Sequence, residues 1–478
     1  SQILGVEGNV VADEDIKFLP LYTGKRGELV TQFDGPMTEK SGLVKFDFLG
    51  LKTMTLIQDT LDNITLQGRT PPDLDNLPLT DAATYDLYAR GDTDGIFQVE
   101  SSGMRQYLRM LKPSCFEDVT GPLGSGMVDE FIKRKHGQVP VVYPHESLSD
   151  CLRDTYGVIV YQEQVMQIAQ IIASYTLGGA DLLRRAMGKK KPEAMAKERV
   201  KFVEGAQKNG VDKAKADEIF DLMEKFAEYG FNKSHSAAYA QISYFTAYLK
   251  VHHTVEFMAA LLQGASTNKD KTALYLGEAR RMGIQVLSPD VNESVYEYSA
   301  VGDVVRFGLG AIRNVGKNAV DAIIAERENG HGKYVNFTDF IKRVPLEALN
   351  RRLVESLIKA GAFDSIDPNR RALFTIHETA INSVVGLKRK QAEGQFDLFA
   401  DLDDSKENDS AMGDAMVQVP DVEEWDKKTK LNFEREMLGL YVSDHPLSGM
   451  QSILVSLREM SIAHLIDRAG SMPDGQQV

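Results

Sequence analysis

The period of the apolar positions changes along the chain. The first fifty residues have the spacing of strands and loops and end in GLVKFDFLG, where alternation puts Val44, Phe46 and Phe48 on one face and Leu43, Lys45, Asp47 and Leu49 on the other. Gly50 is expected to stop that strand. LKTMTLIQDTLDNI then takes up helical spacing and opens a helix-rich stretch that runs to about Gly264. Within it, Ile219, Phe220, Met223, Phe226 and Ala227 form one apolar stripe, with Gly230 where a C-cap glycine belongs. The next helix is expected to restart after Asn232-Lys233-Ser234-His235-Ser236. From Ser266 to about Ile366 the pattern predicts short helices broken by glycine. Residues 393–426 are polar and acidic, and from about Phe433 the chain becomes apolar again.

A chain of 478 residues is long enough for about three modules with separate cores. Its 43% apolar and 26% charged residues are those of a soluble protein, and no window reaches the run of about 18 apolar residues that a membrane span needs. The start, SQILGVEGNV, carries no basic leader, so a cytoplasmic location with no membrane partner is the expectation. Cys115 and Cys151 stand in unrelated contexts and make neither a disulfide framework nor a CxxC pair, and the nine histidines show no H-x-H or HExxH spacing, so no zinc site is expected.

The net charge of −14 argues against a nucleic-acid partner until its distribution is considered. Between Glu393 and Asp426 there are twelve acids and one base, which accounts for eleven of the fourteen excess negative charges. In contrast, GGADLLRRAMGKKKPEAMAKERVK, residues 178–201, holds eight bases and three acids. A local basic surface is therefore available.

Lys45 and Asp47, two apart on a strand, share a face. A carboxylate beside an ammonium suits phosphoryl transfer, with the carboxylate on Mg²⁺ and the lysine on triphosphate oxygens, and it equally suits a surface ion pair. Arg184, Arg185 and Lys189 lie in LLRRAMGKKK, which would present a positive helix end to a polyphosphate or simply a solvated basic face. Ser234 and His235 offer donors between two helices, where capping is the plain alternative. Two segments, GLGAIRNVGKNAVDAIIAER and NRRLVESLIKAGAFDSI, each set a glycine (Gly316, Gly361) beside an amphipathic helix. That is the outline of a helix-hairpin-helix, whose backbone N–H groups face a DNA phosphate irrespective of sequence; two ordinary capped helices would look the same.

VKFDFLGL (44–51), DGIFQVESSGM (94–104), GMVDEFIKRKHG (126–137), YGVIVYQEQVMQIA (156–169), YTLGGADLLRRAMGKKK (175–191) and YGFNKSHSAAYA (229–240), in this order, resemble the C-family bacterial DNA polymerases. The resemblance covers nearly the whole chain. It implies a mainly α fold with a small α+β portion: the end of the thumb and a residual palm sheet edge over 1–52, a large helical fingers domain over 53–265, and a tandem helix-hairpin-helix domain over 266–392. An acidic linker over 393–432 and the start of an OB-like domain over 433–478 would complete it.

By the same resemblance, Asp47 looks like the third of three palm aspartates that ligate Mg²⁺ in a two-metal site, and Lys45 like a palm lysine near the triphosphate. Arg184, Arg185 and Lys189 look like the fingers element that meets the incoming nucleotide, with Ser234 and His235 lining that pocket. Arg313, Gly316, Lys317, Lys359 and Gly361 are implied to contact duplex DNA. Gln395-Phe396-Asp397-Leu398-Phe399 resembles the peptide with which these polymerases grip the sliding clamp, where the glutamine hydrogen-bonds at one side and Leu398 and Phe399 fill a hydrophobic pocket. The partners implied are primer-template DNA, dNTP, the sliding clamp, and the clamp loader tau and proofreading exonuclease. The chain departs from the family pattern in lacking, before Ser1, the N-terminal metal-dependent domain, most of the thumb and the other two palm aspartates, so it is not expected to extend a primer alone. It also joins tightly at Asn9-Val10, and several more residues are expected between Thr120 and Gly121. A DNA and clamp adaptor without catalysis is the alternative from another class. A hairpin-bearing repair nuclease is disfavoured by the lack of a separate acidic cluster.

Overall fold

The computed structural model describes the chain apart from residues 1–2, 5–8, 12–18, 25–26, 43–45, 48–49, 122–127, 190–191, 228–231, 330, 393–417 and 450–478. It divides into two compact units, Ser1–Thr55 and Leu56–Val478, and the fold is mainly α.

The first unit holds the short strands that the alternating pattern predicted. β1 (Ile3–Leu4), β2 (Asn9–Val11) and a strand in VKFDFLG, residues 46–47, form an antiparallel sheet in the order first, second, last, with Asn9 opposite Asp47 and Val10 opposite Phe46. β3 (Leu21–Thr23) and β4 (Leu29–Thr31) make a separate hairpin. The strand expected across GLVKFDFLG is thus observed as β5, Phe46–Asp47. A short helix, α1 (Gly35–Lys40), interrupts the strand-and-loop region because Asp34 accepts from the Met37 backbone N–H at 2.8 Å and so caps it.

In the second unit the helical period is realised. α2 (Lys52–Leu66), α3 (Ala82–Arg90), α4 (Ser102–Leu111), α5 (Phe116–Thr120), α6 (Val128–Lys135) and α7 (Ser149–Leu152) lead to a four-helix group: α8 (Gln162–Ala173), α9 (Leu177–Lys189), α10 (Pro192–Lys208) and α11 (Lys213–Ala227). The predicted stripe of α11 is its core face, where Ile219, Phe220 and Met223 are fully buried and Phe226 nearly so. Phe220 meets Phe202 of α10 at 5.5 Å between ring centres, and burying each ring contributes about 2 kcal/mol.

α12 (Lys233–His252), α13 (Thr254–Ala265) and α14 (Lys269–Arg281) pack with α2 and α3 in a second core. α12 begins earlier than the sequence suggested. Asn232 is its N-cap, accepting from the His235 N–H at 2.9 Å, so Ser234, His235 and Ser236 lie in the first turn rather than between helices. Capping falls to Asn232 and not to the serines.

A small sheet follows where only short helices were expected: β6 (Gln285–Leu287), β7 (Ser299–Val301) and β8 (Val304–Arg306), in the order β6-β8-β7, with β8 parallel to β6 and antiparallel to β7. Three-residue strands are too short to show a period in sequence. α15 (Lys317–Glu328), α16 (Phe337–Arg343), α17 (Arg351–Ala360) and α18 (Arg370–Ala392) then enclose a third core. α19 (Lys427–Leu438) returns to it through Met437. The start of α18 is capped from a distance: the Glu424 carboxylate accepts from the backbone N–H groups of Arg370 (3.0 Å) and Arg371 (3.1 Å), and Val422 accepts from the Asn369 side chain. Of the region expected to start an OB-like domain, residues 450–478 lie outside the described residues.

Candidate nucleotide and DNA site

α9 is amphipathic: Ala180, Leu183 and Met187 are buried against the four-helix core, which turns the adjacent arginines outward. Asp181, one turn before them, organises both. Its Oδ1 accepts from Arg184 Nε (3.1 Å) and Nη2 (2.7 Å), and its Oδ2 lies 2.8 Å from Arg185 Nε. The Arg184 hydrogen bonds hold the Asp181 carboxyl below its ordinary range. Arg185 remains 63% exposed and Arg184 26%, so two fixed guanidiniums present unused donors to an anion. Lys189 ends α9; its side chain, like residues 190–191, is not among those described.

The start of α8 joins this cluster to α12. Gln162 Oε1 accepts from Arg184 Nη1 at 2.9 Å, and the next residue, Glu163, accepts from the Lys233 backbone N–H at 2.8 Å. The Lys233 ammonium lies 5.4 Å above the Tyr161 ring, and the Tyr161 hydroxyl is 2.9 Å from Thr120 Oγ1. Arg184 and Arg185 are thereby brought near the first turn of α12, where Ser234 and His235 are both exposed. Tyr161, Gln162 and Glu163 were missed as functional positions, although YQEQ lies in a segment that carried the family resemblance. Their role depends on partners some 20 and 70 residues away, which no local pattern displays.

Beside His235 a cavity of about 220 Å³ is lined by Phe97, Gln98, Val99, Thr120, Tyr239 and Ser243, among others. The His235 and Tyr239 rings stand 4.3 Å apart, and Tyr239 and Phe97 5.5 Å. The wall containing Phe97 belongs to the loop 92–100, fixed from several sides. Thr93 Oγ1 donates to the Val99 carbonyl (2.6 Å), Gly95 N–H to Glu100 Oε1 (2.7 Å) and Phe97 N–H to Thr246 Oγ1 (3.2 Å). Gly95 has φ +79°, and a Cβ there would stand 2.6 Å from Leu261, so this position requires glycine. Beneath the loop, fully buried Lys250 of α12 donates to the carbonyls of Asp92 (2.9 Å) and Asp94 (2.8 Å) and to Glu278 Oε1 (2.8 Å), while Arg281 holds the other Glu278 oxygen at 2.7 Å. Burial opposes charge on Glu278, yet the bonds from Arg281 and Lys250 overcome it and its carboxyl falls to about 2. Burial also draws the Lys250 ammonium below its ordinary range against the pull of Glu278. The two shifts pull the pair in opposite senses, and the three acceptors around Nζ favour the charged form.

In the hairpin region, Arg313 and Lys317 are exposed. Gly316 is the N-cap of α15 with φ −94° and open space where a Cβ would be, so the left-handed step of the turn falls on Asn314 (φ +67°), whose side chain reaches Ser356 at 3.1 Å. The other two residues expected to contact DNA, Lys359 and Gly361, lie within the fold. Lys359 is only 12% exposed in its side chain, paired with Glu355 at 2.7 Å, and lies over the rings of Phe433 (5.0 Å) and Phe374 (5.5 Å). Gly361 is buried at the C-cap of α17 with φ +80°, where a Cβ would collide with the Arg370 guanidinium. Both sit at the carbonyl end of α17, which repels phosphate. The N–H end of that helix is at Asn350, followed by exposed Arg351 and Arg352.

Lys45 and the peptide with Gln395, Asp397, Leu398 and Phe399 lie outside the described residues, and of Asp47 the backbone alone is described. Among the described residues, no group of three or more His, Cys, Asp or Glu is placed to hold a metal ion, and no helix is long and apolar enough to cross a membrane.

A family profile for the bacterial DNA polymerase III alpha subunit finger domain matches residues 53–210, and one for the helix-hairpin-helix motif matches residues 283–373. The chain is 45% identical over 473 residues to a DNA polymerase III subunit alpha of Mycobacterium tuberculosis, covering 96% of this chain and 39% of that one. It is 47% identical over 461 residues to that of Saccharopolyspora erythraea (94% and 38%) and 45% over 461 residues to that of Escherichia coli (92% and 39%). The chain thus spans about two fifths of the length of these relatives. It belongs to the family of bacterial DNA polymerase III alpha subunits.

Proposed function

We propose that this chain supplies the fingers and hairpin portions of a DNA-directed DNA polymerase of chromosome replication, acting in the cytoplasm, and that the surface where α9 meets the first turns of α8 and α12 binds the triphosphate of the incoming dNTP. The observation that carries this reading is the pair Arg184 and Arg185 held by Asp181, with Gln162 and Glu163 linking it to the helix that bears His235. In the reaction the primer 3′-OH attacks the α-phosphorus and pyrophosphate leaves. Fixed guanidiniums favour the charge that develops on the phosphoryl oxygens without having to reorganise during the step. Arg185, the more exposed, would approach the phosphates most closely, with Arg184 behind it and Lys189 at the helix end.

Asp47 would be one ligand of Mg²⁺, and Lys45 would stand near the triphosphate. Mg²⁺, when bound, neutralises phosphate charge and lowers the pKa of the attacking hydroxyl. Arg313 and Lys317, beside the N-cap Gly316, would contact the phosphates of the primer-template duplex. Gln395, Asp397, Leu398 and Phe399 would dock on the sliding clamp, and clamp loader tau and the proofreading exonuclease would join in the replisome. The test is Arg184→Ala and Arg185→Ala in a full-length alpha subunit carrying these residues. Each is expected to raise the KM for dNTP and lower kcat/KM by about tenfold to a hundredfold, as the loss of a charge-assisted hydrogen bond does. Unchanged single-nucleotide incorporation by both variants would overturn the reading. Clamp capture by a Leu398→Ala, Phe399→Ala variant at the wild-type level would remove the docking peptide.

A further inference from the structure

Gln98 has φ +63°, one of the few non-glycine residues in the left-handed region. For a residue with a side chain this conformation costs stability, and it persists where the surroundings over-determine it. They do so here: Thr93 bonds across the loop to Val99, Glu100 holds Gly95, Thr246 holds Phe97, and buried Lys250 holds the carbonyls of Asp92 and Asp94. The loop is anchored on both sides of Gln98, while the Gln98 side chain itself is exposed, lines the cavity beside His235 and has no hydrogen-bond partner among the described residues. The network below holds the strain, and its one visible product is the direction of a carboxamide.

The cavity it faces has ring walls. Phe97, Tyr239 and His235 form a chain of aromatic contacts along it. At about 220 Å³ the space lies below the roughly 300 Å³ at which sites for drug-sized ligands begin. The Thr120 and Ser243 hydroxyls of the lining are taken up by Tyr161 and Tyr88, so flat rings and the unpartnered Gln98 carboxamide suit one planar heterocycle, held by stacking and read at its edge. The same cavity touches the first turn of α12, which Glu163 ties to the arginine cluster.

We propose that Gln98 is a specificity-determining residue: its carboxamide hydrogen-bonds the edge of the nucleobase whose triphosphate lies on Arg184 and Arg185, with Phe97, Tyr239 and His235 supplying the apolar wall. This rests on the nucleotide-binding reading above. It assigns base selection to a loop that precedes the arginine motif by some eighty residues.

The experiment uses Gln98→Gly, Gln98→Ala and Gln98→Asn in a full-length alpha subunit, with single-nucleotide incorporation and thermal melting measured on each. Glycine takes φ +63° without strain, so Gln98→Gly is expected to melt no lower than the wild type. Even so, its KM for the correct dNTP should rise about tenfold, the loss of one hydrogen bond, and discrimination against the mismatched dNTP should fall. Gln98→Asn should recover part of both. A nucleotide analogue whose base lacks the edge acceptor should be used less well than the natural nucleotide by the wild type, and equally well by the wild type and Gln98→Gly. If Gln98→Gly keeps wild-type KM and discrimination, Gln98 merely shapes the loop and the proposal is overturned. If instead Arg184→Ala and Arg185→Ala leave KM unchanged while Gln98→Gly alters discrimination, the triphosphate reading has failed and base contact by this loop stands.

Discussion

Asp181 shows how one side chain governs a site without being its ligand. It fixes both guanidiniums of the arginine pair, so Asp181→Asn should leave the fold intact but let both arginines search for other positions. The expected outcome is a rise of about tenfold in the KM for dNTP, read by single-turnover incorporation, with little change in melting temperature. The residue was legible in the sequence as an acid within a basic motif; its function was not, because spacings of three and four residues acquire meaning once helix α9 is known to be continuous. Lys359 shows the reverse case. A basic residue beside a glycine matched the hairpin outline, yet the apolar face of α17 turns its stem inward, between Phe374 and Phe433. Lysine stems are apolar, and pattern alone does not say which way one lies.

At the level of elements, the loop 92–100 and helices α12 and α14 behave as one braced unit. Glu278 and Lys250 are both almost wholly removed from water, and breaking such a pair leaves an uncompensated charge; Glu278→Gln should lower the stability of the second unit by about 3 kcal/mol, read as a shift in the urea midpoint. The pH dependence has a definite sign. Since the folded-state carboxyl is depressed from 4.5 to about 2, its contribution is complete above about pH 4.5 and is lost as the pH falls through about 2. Glu278→Gln should therefore flatten the acid limb of the stability profile. None of this brace was legible beforehand, because Lys250 and Glu278 look like ordinary surface residues of amphipathic helices. The helices themselves were legible, from α2 to α13, because their stripes repeat over many turns. The strands β6 to β8 were not, and α12 began four residues early because an asparagine cap outweighed the apparent break at the serines.

Across the molecule, charge is segregated: most of the excess acid lies in 393–426 and the bases gather near the arginine motif and the hairpins. For DNA binding this makes salt the diagnostic. Arg313→Ala and Lys317→Ala should each weaken duplex binding about equally for all sequences and reduce the slope of log K against log salt by about 0.9, whereas Lys359→Met should leave the slope unchanged and lower the melting temperature instead. The broad organisation into helix-rich, hairpin and acidic stretches could be read from composition, since it depends on sums over many residues. Where the acidic stretch returns could not, because it depends on a single carboxylate. Glu424 brings the chain back to the beginning of α18, whereas the preceding segment leaves from that helix's other end. A helix of 23 residues is about 34 Å long. Fully extended chain covers at most about 3.5 Å per residue, so roughly ten residues are the shortest tether that can connect Ala392 to Val422. The 29 residues between them therefore contain some twenty that can be deleted while the cap still closes. Trimming past that limit should unwind the end of α18, with progressive loss of helical circular dichroism, so the length of that helix sets the shortest acidic stretch the fold tolerates.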